Sequence, residues 1–444
     1  MNGRGIRIWM FAAAAIAMSG CTQIDDLLGN KDGPKLQGSR ISVLLANDAV
    51  RADPGLSDLA ILLPRPLANE SWPQQGGFPN HAMHHLALGD LPRAVWSADA
   101  GSGSDKDAPI LSGPVTSGGI VYTMDSDAIV AAYSANEGRL IWRVDIEPPG
   151  EDDGNWGGGL AVDDGLVFAA TGFAQVVALA ADTGREVWRT NVSGPMRAAP
   201  TALNGRVFAV TKDNQLFALN AKDGESLWSH TGFEETAGLI GSASPAVEGG
   251  IVVVPYSSGE IFALRVENGR QLWGENLAAI RRADAVSALA DIRGRPVIDR
   301  GRVYAISHSG RMVAIDLPTG RRLWEAPLGG VNQPWVGGDF IFVLTSDATV
   351  AALTARDGRI RWLTPIGLFE DPKKRRGRIN WSGPVLAGDR LIVSGSHGVA
   401  LSLSPYTGEI IGEQEMPDAV SLPPAIANQT LYFLTDEARL VAYR

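Results

Sequence analysis

The chain has 444 residues, a formal net charge of −10, 45% hydrophobic residues and a single cysteine. Such acidity argues against nucleic acid and against broad binding to anionic lipid, and one cysteine excludes an internal disulfide framework. Beyond the first twenty residues no apolar stretch approaches the ~20 residues of a transmembrane helix.

Residues 1–20 read as a lipoprotein signal peptide: Arg4 and Arg7 are basic, Ile8 to Met18 is apolar but too short to span, and Met18-Ser19-Gly20-Cys21 is a small-residue cleavage site. Cys21 is the expected acceptor of the diacylglycerol, since a thiol is required and no partner thiol exists. Thr22 stands where an aspartate would signal inner-membrane retention, so the expected place is the outer membrane, lipid-anchored on its periplasmic face. Residues 21–90 carry scattered Gly, Pro, Asp and Asn and read as a lipid-anchored tether, partly irregular, that docks in part on the C-terminal domain. Arg40 to Leu45 has the pattern of a strand. His81, His84 and His85 lie in this stretch; a metal site would need them held rigidly with a further ligand, and no metal is expected there.

From Leu91 onward one block recurs: a glycine ending a turn, then a tryptophan four residues later. Gly138/Trp142, Gly184/Trp188, Gly224/Trp228, Gly269/Trp273, Gly320/Trp324 and Gly358/Trp362 keep both, and Gly408/Gly412 keeps the turn alone. Six residues before each glycine is Ala132, Ala178, Ala218, Ala263, Ala314, Ala352 or Ser402. A strand-rich repeat of roughly 40–50 residues is the period of propeller blades. In Ala199 to Trp228, Asn204-Gly205, Lys212-Asp213-Asn214 and Lys222-Asp223-Gly224 are turns between short apolar runs, giving four antiparallel strands. Alanine leaves room for the adjacent sheet, and tryptophan, with one N–H to satisfy, caps the outer strand against its neighbour. A first strand led by proline occurs at Pro114, Pro200, Pro245, Pro296, Pro334, Pro384 and Pro423, with Ala161 in place of a proline. The eighth unit stops at its third strand, Leu440 to Arg444, while an orphan fourth strand, Leu91 to Trp96, stands at the other end. The expected fold is therefore all-β: residues 91–444 as an eight-bladed β-propeller with four-stranded antiparallel blades, the last closed by the N-terminal strand. No Trp-Asp dipeptide marks the repeats, which sets the WD type aside. Lys373-Lys374-Arg375-Arg376-Gly377-Arg378, a basic run between the sixth and seventh blades, reads as a solvated loop.

No phosphate loop, HExxH or Gly-x-Ser-x-Gly elbow is present, and the abundant acids sit mainly in turns. The Ala-Leu-x-x-x-x-Gly-x-x-x-Trp repeat, as in Ala178 to Trp188, resembles that of the quinoprotein alcohol dehydrogenases and their non-enzymatic relatives. With the signal and the length, the chain is most similar to the propeller lipoproteins of the outer-membrane β-barrel assembly complex. That resemblance implies a non-catalytic scaffold without cofactor, binding the periplasmic domains of the barrel-forming subunit. The enzymatic relatives hold pyrroloquinoline quinone against a disulfide of adjacent cysteines, which a chain with Cys21 alone lacks. In the assembly lipoproteins the partner surface comes from loops before the first strands of two neighbouring blades. A Leu-x-Leu-Arg motif there corresponds to Ala237 to Gly241, where Leu239 keeps the second leucine and Ile240 replaces the arginine. A pair of acids corresponds to Asp291, kept, and Arg293, which replaces the second. Leu239, Ile240, Asp291 and Arg293 are thus the expected partner-binding residues. Two other readings stand beside the scaffold: a quinone-dependent dehydrogenase, and an envelope lipoprotein holding another periplasmic partner.

Overall fold

The computed structural model describes residues 50–90, 92–105, 108–150, 157–235, 239–278 and 291–444. The signal peptide, Cys21, Arg40 to Leu45, Leu91, Ala237 and Gly238 lie outside the described residues. Eight four-stranded antiparallel sheets follow one another in chain order, seven built from consecutive strands. They span residues 115–145, 159–191, 201–231, 246–276, 297–326, 335–365 and 381–415, called blades 1 to 7, and blade 8 begins at residue 425. Blade 8 has three strands from the C-terminus, and its fourth is β1, Ala94–Asp99, hydrogen-bonded to Arg439–Tyr443 with Trp96 opposite Ala442.

The second and third strands of each blade are buried on both faces because a neighbouring blade covers each side. Across blade 1 the register aligns Tyr122, Ala132 and Trp142 in one row. The same row is Phe168-Ala178-Trp188 in blade 2 and Tyr432-Ala442-Trp96 in blade 8. What the alanine admits is the pair of rings on its own sheet: Tyr122 and Trp142 meet over Ala132 at 5.9 Å between centroids, and Phe168 and Trp188 repeat this at 5.9 Å. Register also shifts two first-strand assignments by one residue. Thr201, which follows Pro200, lies opposite Phe208; the matching partners of Phe168 and Tyr432 are Ala161 and Ala425, so the residues equivalent to Pro200 are Leu160 and Pro424, rather than Ala161 and Pro423.

Each tryptophan then reaches the next blade. The Trp142 indole N–H donates to Ala181 O at 3.0 Å, Trp188 to Ala221 O at 2.8 Å and Trp228 to Val266 O at 3.0 Å. Trp273, Trp324 and Trp362 donate likewise to Leu317, Ala355 and Pro405, and Trp96 to Ala135. Every acceptor lies three residues before a repeat glycine, and the indole lies flat against that glycine. At Gly269 (φ +69°) an added Cβ would sit 2.6 Å from the Trp228 ring.

Residues 67–88 run along the axis of the ring and touch every blade in turn. Asn69 O accepts from Asn428 N–H in blade 8, and Trp72 exchanges two backbone hydrogen bonds with Thr116 in blade 1. Val162 N–H donates to Pro73 O at 2.8 Å, Val247 N–H to Pro79 O at 2.7 Å and Ile298 N–H to Asn80 O at 2.9 Å, in blades 2, 4 and 5. In blade 3 the Gln74 side chain exchanges two hydrogen bonds with the Ala202 backbone. The Trp335 indole of blade 6 donates to His84 O, and Leu86 N–H to Leu386 O in blade 7. Inner strands are sheet edges, and this segment supplies the partners their backbone groups need. The three histidines diverge within it. His81 is buried with Nδ1 on Pro296 O, His84 faces Asp299, and His85 lies between Pro64 O and the Asp389 N–H. Burial pushes the His81 imidazole down to about 3, so it is neutral.

Two outcomes are expected. Gly250→Ala, at a positive φ with open space around it, should cost about 1–2 kcal/mol of backbone strain; Gly269→Ala adds a collision with Trp228 and should cost about 1–3 kcal/mol more in urea unfolding. Deleting residues 50–88 should lower the melting temperature and speed hydrogen exchange at the Thr116, Val162, Val247 and Ile298 amides; unchanged protection there would show that the axial segment is not what covers them.

Candidate partner-binding face

Turns between first and second and between third and fourth strands gather at one end of the ring. Connections between blades gather at the other, because each blade has four antiparallel strands. Leu239 and Ile240 precede blade 4, and Asp291 and Arg293 precede blade 5, both on this connection face. The two loops meet: Asp291 Oδ2 accepts the Leu239 N–H at 2.9 Å, and Asp291 O accepts the His308 N–H at 2.9 Å. Gly241, at φ +91°, lies so close to Arg293 that an added Cβ would be 2.8 Å from its Nε.

The four expected residues therefore lie together, but in different environments. Ile240 is 51% exposed, an uncovered apolar side chain, whereas Asp291 is 3% exposed. Asp291 is thus a brace for the neighbouring loop rather than a charge presented to solvent. Burial pushes its carboxyl up to about 6, against the opposing pull of the Leu239 N–H and of Arg293. Burial lowers the Arg293 guanidinium, and Asp291 partly restores it.

A cavity of about 600 Å³ opens on this face, with Leu239, Ile240, Arg293 and Arg295 in its wall and Trp72 and Gly76 of the axial segment in its floor. Trp72 stacks on Trp335 at 6.2 Å and 18°. Arg295 and the floor residues were not singled out by sequence reasoning; the available signal was Arg293-Gly294-Arg295 immediately before a first-strand proline. The basic run forms a hairpin, Phe369–Asp371 paired with Arg376–Arg378, with Lys373, Lys374 and Arg375 exposed and Arg378 lining the cavity. The run is thus ordered as strands at the cavity rim. No group of three His, Cys, Asp or Glu side chains placed to hold a metal occurs among the described residues.

Eight blades with a tryptophan-to-glycine interlock define a PQQ-like β-propeller. The family model described as outer membrane protein assembly factor BamB matches residues 126–364, and the chain belongs to that family. BamB of Yersinia pestis is 26% identical over 252 residues, 56% of this chain and 62% of the relative. BamB of Escherichia coli K12 is 30% identical over 178 residues, 40% of this chain and 43% of the relative. The chain thus spans about three-fifths or less of the length of these curated relatives. Among solved structures, BamB from Moraxella catarrhalis superposes with a TM-score of 0.66 at 22% identity, covering 80% of this chain and all of that one. A europium-containing methanol dehydrogenase gives the same TM-score, 0.66, at 13% identity over 82% of this chain and 89% of its own. Both likenesses speak to the fold.

Asp291 supplies a pH test. A carboxyl raised by folding favours the protonated native state, so its stabilising contribution is full below the unfolded value near 3.9 and lost as pH rises through about 6. The melting temperature of the natural protein relative to Asp291→Asn should fall between pH 4 and 6 and level off above; a constant difference across that window would mean the carboxyl titrates normally.

Proposed function

We propose that the protein is a non-catalytic scaffold lipoprotein of outer-membrane protein assembly. Cys21 anchors it to the periplasmic face of the outer membrane, and its connection face binds the periplasmic domains of the barrel-forming subunit. The observation that carries this reading is the family match over residues 126–364, whose members are named as outer-membrane protein assembly factors. Two features support it against the dehydrogenase reading. Cys21 is the only cysteine, so the adjacent-cysteine disulfide implied by the enzymatic relatives cannot form. The axis of the ring is also occupied by the chain's own residues 67–88.

Geometry narrows how a partner docks. Inner strand edges are covered by the axial segment, and outer strands carry a bulge immediately before the tryptophan, at Val95, Ile141, Val187 and Leu227 among others. Bulges disfavour pairing of a further strand. Loops of the connection face remain, and there Ile240 is the exposed apolar anchor, with half-buried Leu239 before it in the chain and Asp291 and Arg293 fixing the loop. Interface energy concentrates in a few central apolar or aromatic groups.

Ile240→Asp should therefore reduce co-purification of the barrel-forming subunit from gently solubilised membranes about tenfold or more while leaving the melt unchanged, because the side chain is exposed. Capture at the natural level would place the partner elsewhere on the ring. Failure of the natural protein to recover that subunit at all would favour a different envelope partner.

A further inference from the structure

The cavity on the connection face gathers more positive charge than the described residues pair with carboxylates. Arg293 and Arg295 both line it, and neither forms an ion pair among the described residues. Among the described residues Arg295 forms one hydrogen bond, at the limit of reach, Nη2 to Gln75 Oε1 at 3.5 Å, and its Nε is buried without a partner. Gln75 is itself engaged with both backbone groups of Gly113. Among the described residues the groups that act on Arg295 do not compensate it: His81 is neutral, and burial, with the like charge of Arg293, draws Arg295 down to about 10. Asp436, the one carboxylate among the described residues of the cavity lining, accepts from the Ser421 N–H and hydroxyl. Asp291, the carboxylate nearest Arg293, is committed to the Leu239 N–H. The buried Oε1 of Gln333, also in the wall, lacks a donor.

Arg293 and Arg295 are half-buried in the cavity wall, and a partly desolvated guanidinium without a counter-charge is unfavourable. In a chain of net charge −10 such a concentration is local. Its natural complement is an anion with a forked pair of acceptors, which a guanidinium binds through two parallel hydrogen bonds. The remaining wall is mixed: polar groups such as Asn332, Ser382 and Asp436 alternate with an apolar and aromatic part made by Trp72, Trp335, Trp381 and Leu422. A bare phosphate would leave that surface without a partner, whereas an organic acid would cover it. Trp72 and Gly76 of the axial segment lie in the lining, and Arg378 joins it from the exposed Lys373 to Arg375 hairpin, whose positive charge attracts anions.

We infer that this cavity is a binding site for a carboxylate borne on an apolar body, the carboxylate on Arg293 and Arg295 and the body against Trp72, Trp335 and Trp381. The carboxylate belongs either to a free organic acid or to the C-terminus of a polypeptide. The inference is independent of the barrel-assembly partner.

The test is thermal melting and calorimetric titration of the full chain with 3-phenylpropionate, its neutral amide, inorganic phosphate, and an acetylated Ala-Ala-Leu tripeptide with a free or amidated C-terminus. The natural protein should be stabilised by 3-phenylpropionate or by the free-acid peptide, and whichever acts identifies the source; neither amide should act. Arg295→Met and Arg293→Met should each weaken that binding about tenfold or more, and Arg295→Met should melt no lower than the natural protein because an unpaired charge has been removed. Should one variant fail to fold, the other and the acid-against-amide contrast still decide. Equal shifts from acid and amide, no shift from any acid, binding retained in both variants, or a phosphate effect as large as that of the acid would each overturn the assignment.

Discussion

The ring depends on one repeated interaction: an indole from one blade lies on a glycine of the next and donates its N–H to the carbonyl three residues earlier. It joins a large apolar burial to a satisfied polar atom, and it requires glycine, since no Cβ fits beneath the ring. Seven interfaces have it. The eighth, between blades 7 and 8, has Gly412 in place of tryptophan, and the fold explains why. The receiving feature is a hairpin between third and fourth strands, and blade 8 has none, because its fourth strand is β1, Ala94–Asp99, from the other end of the propeller. Trp96 on that strand then carries the interlock onward to blade 1 through Ala135 and Gly138.

The seam without a tryptophan is where the axial segment closes on itself. Leu67 N–H donates to His85 O, and Ala87 N–H donates to Leu67 O, so the two ends of the loop pair. Asn69 bonds blade 8 while Leu86 bonds blade 7. A clasp at that position ties together the two blades that share no indole, and it does so through backbone groups that would otherwise be sheet edges. The same segment contributes Trp72 and Gly76 to the lining of the cavity.

The propeller is legible in the sequence because its determinants are side chains at fixed spacing: glycine, tryptophan four later, alanine six before. Where a single residue has to set the register, the sequence alone is off by one, at Leu160 and Pro424, since neighbouring prolines or alanines look alike without the strand pairing. The axial segment leaves no such trace. Its contacts use main-chain carbonyls of Trp72, Pro73, Pro79 and Asn80 and unrelated side chains of Asn69 and Gln74, so neither period nor composition announces it. His81, His84 and His85 look like a cluster in the sequence and turn to three different partners because the segment bends at positive φ at His81 and His84.

At the candidate site, adjacency of the two loops is legible from their places before neighbouring blades, but the role of Asp291 is not. An aspartate in a loop reads as exposed, and only the fold shows its carboxylate holding the Leu239 amide. That inward turn has a consequence for the whole face. Arg293 retains one carboxylate neighbour, whereas among the described residues no carboxylate acts on Arg295, two residues later, so positive charge gathers at the cavity wall. Gly241, one residue beyond Ile240, packs directly against Arg293. Exposed Ile240 and the charged cavity are therefore parts of one braced unit: whatever fixes the Arg293 guanidinium also fixes the loop that carries Ile240.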